Sequence, residues 1–73
     1  MIELTYRQQQ VLELVAAGYS AKEIAALLGL HARTVEFHKN RLCRKAQASG
    51  AVAMLRQFYN FIPRRVVVAR PRG

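Results

Sequence analysis

Cysteine occurs once in this chain, at Cys43, tryptophan not at all, and acids only four times, at Glu3, Glu13, Glu23 and Glu36. A single cysteine excludes an internal disulfide and fits a reducing compartment. Cys43 reads as a small, semi-buried filler rather than a redox sensor, since nothing around it suggests a metal or thiol site. The acids are few, two of them stand at or near helix starts, and no glycine-rich phosphate loop accompanies them. No nucleophile–base–acid trio can be assembled, so an enzyme is not expected. His31 and His38 lack a further His, Cys or acid at metal-ligand spacing, so neither a metal nor a cofactor is expected. No apolar run approaches the ~18 residues that span a bilayer, and no signal-peptide core follows Met1. The expected compartment is the cytoplasm, with no membrane contact.

Basic residues are abundant instead. Twelve Lys and Arg against four acids give a net charge of +8 and a pI near 10.9 over 73 residues. That length allows one domain with a small core, only marginally stable alone. The charge is the footprint of a polyanion binder, although a membrane-surface or ribosomal protein would share it.

Local signals predict helices. Thr5-x-x-Gln8 and Ser20-x-x-Glu23 both read as capping boxes. The first opens a helix over about Tyr6 to Ala17 with Val11, Leu12, Leu14 and Val15 inward, and Gly18 suits its left-handed cap. The second opens a helix over Ala21 to Leu28 that buries Ile24, Ala25, Leu27 and Leu28, with Gly29 at its end. A third helix, about Ala32 to Ala48, follows a tight turn. Two short helices, a glycine-containing turn and a basic outer helix form the layout of a helix-turn-helix.

The third helix separates into two faces at about 100° per residue. Val35, His38, Leu42 and Ala46 fall inward, where the His38 imidazole is expected to meet a neighbouring backbone carbonyl. Arg33, Glu36, Phe37, Asn40, Arg41 and Arg44 fall on the other side. Most charged helix faces are only solvated. Phe37 argues otherwise, because an exposed ring among arginines has no packing role. Donors, one acceptor and one ring can together touch base edges and phosphates. Glu36, Phe37 and Asn40 are therefore the candidate base readers, and Lys22, Arg33, Thr34, Lys39, Arg41 and Arg44 the candidate backbone contacts. His31, in the turn, reads as a surface residue near phosphates.

A fourth helix is expected over about Ala51 to Phe61. Val52, Leu55, Tyr59 and Ile62 form one apolar stripe, which would close the core. Met54, Phe58 and Phe61 form another, which a small domain could not also bury, so these three are the expected dimer interface. From Pro63 the composition changes to a tail with Arg64, Arg65, Arg70 and Arg72 around Val66 to Val68. It could add an edge strand or follow a DNA backbone as a flexible arm. Residues 1–62 thus read as the domain and 63–73 as a basic C-terminal tail. Met1, three residues before Leu4, is compatible with a complete small protein or with an excised domain.

Leu4-Thr-Tyr-Arg7, Val11-Leu12-x-Leu14-Val15-Ala16-x-Gly18, Glu23-Ile24-Ala25-x-x-Leu28-Gly29-Leu30 and Thr34-Val35-x-x-His38 closely resemble the LuxR/FixJ/NarL-type DNA-binding domain, over about Leu4 to Phe61. The resemblance implies an all-α, four-helix domain whose third helix enters the major groove and whose fourth dimerises, in bacterial transcription. It implies double-stranded DNA and a second copy as partners, RNA polymerase as a further one, no small-molecule ligand in this domain, and a place at the bacterial nucleoid. Four positions depart from the pattern. Gln8 replaces the usual Glu, His31 stands where Ser or Thr caps the third helix, Lys45-Ala46 replaces Lys-Leu, and Gly50 stands where Ser or Thr starts the fourth helix. The expected function is sequence-specific transcription regulation, self-standing or as part of a response regulator or ligand-sensing activator. The alternatives are a sigma-region-like module that needs polymerase, or a protein-interaction module that has lost DNA reading.

Overall fold

Both capping boxes form. Thr5 Oγ1 accepts from the Gln8 backbone N–H at 3.1 Å, and Gln8 Oε1 accepts from that of Thr5 at 3.0 Å. Ser20 Oγ accepts from the Glu23 N–H at 3.2 Å while Glu23 Oε1 accepts from that of Ser20 at 2.8 Å. Each pair satisfies amide donors that a helix start otherwise leaves open. The computed structural model describes residues 3–63. Among them it has no strand and four helices: α1 (Tyr6–Ala16), α2 (Ala21–Leu28), α3 (Ala32–Ala46) and α4 (Ala51–Gln57), the last running into a 3₁₀ turn at Tyr59–Phe61. The tail, with its Val66 to Val68 edge strand or arginine arm, lies outside the described residues.

Gly18 and Gly29 take φ of 97° and 71°, the left-handed region in which a Cβ is penalised. The chain reverses there, with Tyr19 N–H donating to Leu14 O at 3.1 Å and Leu30 N–H to Ala25 O at 2.9 Å. α3 ends two residues earlier than its apolar spacing suggests. Gln47 turns left-handed at φ 52°, ψ 42°, and Ala48 N–H donates to Cys43 O at 2.9 Å. A non-glycine residue in that conformation costs about 1 kcal/mol. α4 also stops early, at Gln57, so the continuous helix expected to Phe61 is replaced by the 3₁₀ turn. Gln9 Nε2 seats that turn on α1, donating to Phe61 O and to Glu13 Oε2, both at 2.8 Å.

One apolar cluster holds the four helices: Val11 and Leu12 of α1, Ile24 and Ala25 of α2, Val35, Leu42 and Ala46 of α3, and Met54 with Phe58. Leu27, expected inside, is exposed. About 100° per residue turns it away from the arc that Ile24, Ala25 and Leu28 share. The larger correction concerns α4. Met54 and Phe58, expected on a dimer face, have no exposed surface, whereas Val52 and Tyr59, expected to close the core, are 71% and 65% exposed. Phe61 packs its ring edge-on against Phe58, centroids 5.4 Å apart, and stays partly exposed. The physical reason is the early helix end. With α4 stopping at Gln57, the spacing that would keep Tyr59 in line with Val52 is broken, and Met54 and Phe58, four residues apart, share the line that faces the cluster. Phe58→Ala is therefore expected to cost about 3–5 kcal/mol. In a domain this small that leaves most molecules unfolded at 25 °C, and loss of the helical circular dichroism signal is the measurement. A stable, fully helical variant would return Phe58 to the surface.

Candidate nucleic-acid interface

α3 sits at the centre of the packing, with its Val35–Leu42–Ala46 side against the other helices. At about 100° per residue, Arg33, Phe37, Asn40 and Arg44 point away from Val35, with Glu36 and Arg41 on the two flanks. All six are exposed. Thr34 is half-buried on the border of this face, Lys39 is half-buried about 40° from Val35 on the core side of α3, and Lys22 is exposed in the first turn of α2. The fold thus brings the α3 candidates other than Lys39 onto one surface. The whole of α3 carries Arg33, Lys39, Arg41, Arg44 and Lys45 against the single acid Glu36.

Phe37 is 55% exposed, a large apolar ring presented to solvent amid cations. It is not loose. The Arg41 guanidinium carbon lies 5.4 Å from its centroid, and the His38 ring meets it edge-on at 6.0 Å and 67°. His38 is half-buried, and the contact its ring makes is this one, where a backbone carbonyl was expected.

The start of α3 adds a second feature. His31 adopts the extended cap conformation at φ −81°, ψ 148°, but its side chain makes no capping bond. The Thr34 amide is then left without the partner that Thr5 and Ser20 supply to the Gln8 and Glu23 amides, beside the Ala32 and Arg33 amides that a helix start leaves open. Open amides at a helix N-terminus are donors suited to an anion.

Lys45 was missed as a positioning residue. Its Nζ donates to Glu3 O at 2.7 Å and to Gln8 Oε1 at 2.9 Å, tying the end of α3 to the start of α1. Gln8 is only 4% exposed, so its carbonyl oxygen serves both the capping box and this lysine. The available signal was Gln8 itself, a polar residue next to the inward Val11–Leu12 pair, which needs a buried partner. Among the described residues no group of His, Cys, Asp or Glu could hold a metal ion, and no helix is long and apolar enough to cross a membrane.

Two capped helices, a glycine turn and a third helix with an outward cationic face define a helix-turn-helix domain. The chain belongs to the luxR family of bacterial regulatory proteins, whose pattern matches residues 3–57. It is 42% identical to the transcriptional regulatory protein UhpA of Escherichia coli (strain K12) over 57 residues, 78% of this chain and 29% of that protein. It is 36% identical over 56 residues to the tetrathionate response regulatory protein TtrR of Salmonella typhimurium, covering 77% and 27% of the two chains. Over 42 residues it is 48% identical to the transcriptional regulatory protein TdiR of Thauera aromatica, 58% of this chain and 18% of that one. The chain therefore spans less than a third of the length of these three relatives, and their names are those of regulators, not of enzymes. No solved structure gives a significant match.

The Lys45 contact yields a measurable expectation. Lys45→Met keeps the apolar stem but removes both donated bonds, and should cost about 1 kcal/mol in urea unfolding. Amide exchange in the first turn of α1 should accelerate more than exchange in α2. Equal acceleration in both helices would mean that Lys45 stabilises the domain generally rather than by anchoring that segment.

Proposed function

We propose that the chain is a sequence-specific DNA-binding module for transcription regulation, acting through the outward face of α3 in the major groove. The observation that carries this reading is the exposed Phe37 among arginines on a helix whose opposite face is fully committed to the core. Nothing in packing explains that face, and a groove does. Glu36 accepts from a cytosine amino group, Asn40 pairs with adenine N6 and N7, and the exposed part of the Phe37 ring lies against a thymine methyl. Lys22, Arg33, Thr34, Lys39 and Arg44 hold phosphates on the two sides of the groove, helped by the open amides at the start of α3. Arg41, grouped with these phosphate contacts on sequence grounds, is set apart by its contact with Phe37. Residues 1–62 form the binding unit, with 63–73 a basic tail, and the setting is the bacterial nucleoid in the cytoplasm.

Assembly is part of the proposal. Val52, Tyr59 and the exposed part of Phe61 leave apolar surface on and just after α4, which a second copy of the chain covers. Pairing about a two-fold axis places two recognition helices about one DNA turn, ~34 Å, apart on an inverted repeat. The net +8 opposes pairing in free solution, so DNA, which neutralises that charge, promotes it.

Two experiments test this. With DNA selected from a random pool, mobility shifts should favour selected over scrambled sequence. Glu36→Ala or Asn40→Ala should each remove about 1–3 kcal/mol of that preference at one base position, while Arg44→Ala weakens both probes alike and lowers the log–log salt slope by about 1. Binding only after polymerase is added would move the reading to a sigma-region-like module, and no binding at low salt to a protein-interaction module. For assembly, Val52→Arg with Tyr59→Arg should keep the helical signal and single half-site binding but abolish cooperative binding to two half-sites. Cooperativity that survives in the folded variant would place the pairing surface elsewhere.

A further inference from the structure

Arg41, unlike Arg33, Lys39 and Arg44, is held before any ligand arrives, and unlike Lys45 it is held by the outward face of α3 itself rather than by α1. Its guanidinium lies over the Phe37 ring, 5.4 Å from the centroid, and Phe37 is braced in turn by the edge of the half-buried His38. A surface arginine ordinarily samples many rotamers and loses that freedom on binding. Here the ring has already selected a narrow set. The contact is a cation–π one, and it leaves the N–H donors of the guanidinium free to meet an acceptor as a planar fork.

Direction then decides what the fork can meet. Helical side chains lean toward the N-terminus of their helix, so the head group of Arg41 stands at the level of Phe37 along the helix, beside that ring on the flank opposite Glu36. The N-terminal part of a recognition helix is the part that meets base edges. A cation that clamps a phosphate reaches sideways from the helix toward the groove wall, whereas Arg41 is drawn back along the reading face. On the reading that this face enters the major groove, we propose that Arg41 reads a guanine, donating in bidentate fashion to O6 and N7, and that Phe37 is the positioning residue that aims it. Phosphate oxygens offer a guanidinium a similar pair of acceptors, and Arg41 also borders a shallow cleft with Arg44 and Lys45. The two acceptors share the chemistry, and the experiment separates them.

The probe is the DNA fragment selected by the full chain, with each guanine in turn replaced by 7-deazaguanine, which lacks the N7 acceptor. The wild-type protein should lose about 5- to 100-fold in affinity at one such guanine. Arg41→Ala should lose a comparable factor on the unmodified probe and become indifferent to that replacement. Arg41→Lys, which keeps the charge without the fork, should retain the salt slope yet remain indifferent to it. Phe37→Leu should weaken the 7-deazaguanine effect, and combining it with Arg41→Ala should give no further loss at that guanine. Both side chains are exposed, so all variants should keep the wild-type helical signal. Arg41→Ala that weakens every sequence equally, lowers the salt slope by about 1 and still responds to each 7-deazaguanine would assign Arg41 to phosphate and overturn the proposal. The groove reading would survive that result. A Phe37→Leu variant with the full 7-deazaguanine effect would remove Phe37 from the positioning role. A wild-type chain that does not distinguish selected from scrambled DNA would remove both the inference and the reading beneath it.

Discussion

Val35, Leu42 and Ala46 fasten α3 to α1, α2 and α4 at once, and every other property of the domain follows from having its one long basic helix held this way. Burying three residues along one line of a 15-residue helix leaves the opposite line with no internal task. The other helices then act as a mount. α1 and α2 are short, capped at their starts by their own side chains, and stopped by glycine or by the turn that follows. α4 and its 3₁₀ turn close the far end with Met54 and Phe58. Such a mount fixes the direction of the outward face without drawing on any of its side chains.

Charge sets the second constraint. A net +8 on 73 residues works against compactness, and the apolar cluster that resists it is small. Lys45 shows one way the fold manages this, since its ammonium is turned back to the Glu3 carbonyl and to Gln8 and so contributes a bond rather than only repulsion. Arg41 shows another, with its charge laid over the Phe37 ring. Arg33 and Arg44 are left exposed to solvent. A polyanion would relieve their mutual repulsion as well as supply partners, so the folded state and the bound state favour the same arrangement.

Legibility followed the range of the interaction. The two capping boxes and the glycine stops are encoded within three or four residues, and they appear where Thr5, Gln8, Ser20, Glu23, Gly18 and Gly29 place them. The inward line of α3 was equally readable, because an apolar stripe in a charged helix has one interpretation. α4 was not. Two apolar stripes on one helix are equivalent in sequence, and the choice between them depends on where α4 stops, which favours Met54 and Phe58 over Val52 and Tyr59. The end of α3 escaped for a related reason. Gln47 takes a left-handed conformation that its side chain does not favour, and the turn into α4 imposes it. Lys45 and Gln8 are 37 positions apart, and only the packed helices bring them together.

The local rules that the chain breaks around the start and middle of α3 share one side of the molecule. His31 leaves a helix start without a side-chain cap, Phe37 exposes a ring, and arginines crowd a single helix face. Each is unfavourable for an isolated domain, and the first two could be mended by a serine and a polar residue without disturbing the core. Departures of this kind are expected where structure gives way to binding. On the proposed reading the three answer to one partner: open amides and arginines to phosphates, and the ring with its neighbouring guanidinium to base edges. Gly50 breaks a rule too, leaving α4 without a side-chain cap, but the cleft beside it is lined by one charged side chain, Arg56, with no aromatic ring and no second cation. That contrast separates a helix end that is merely weak from one that is weak where a ligand can complete it.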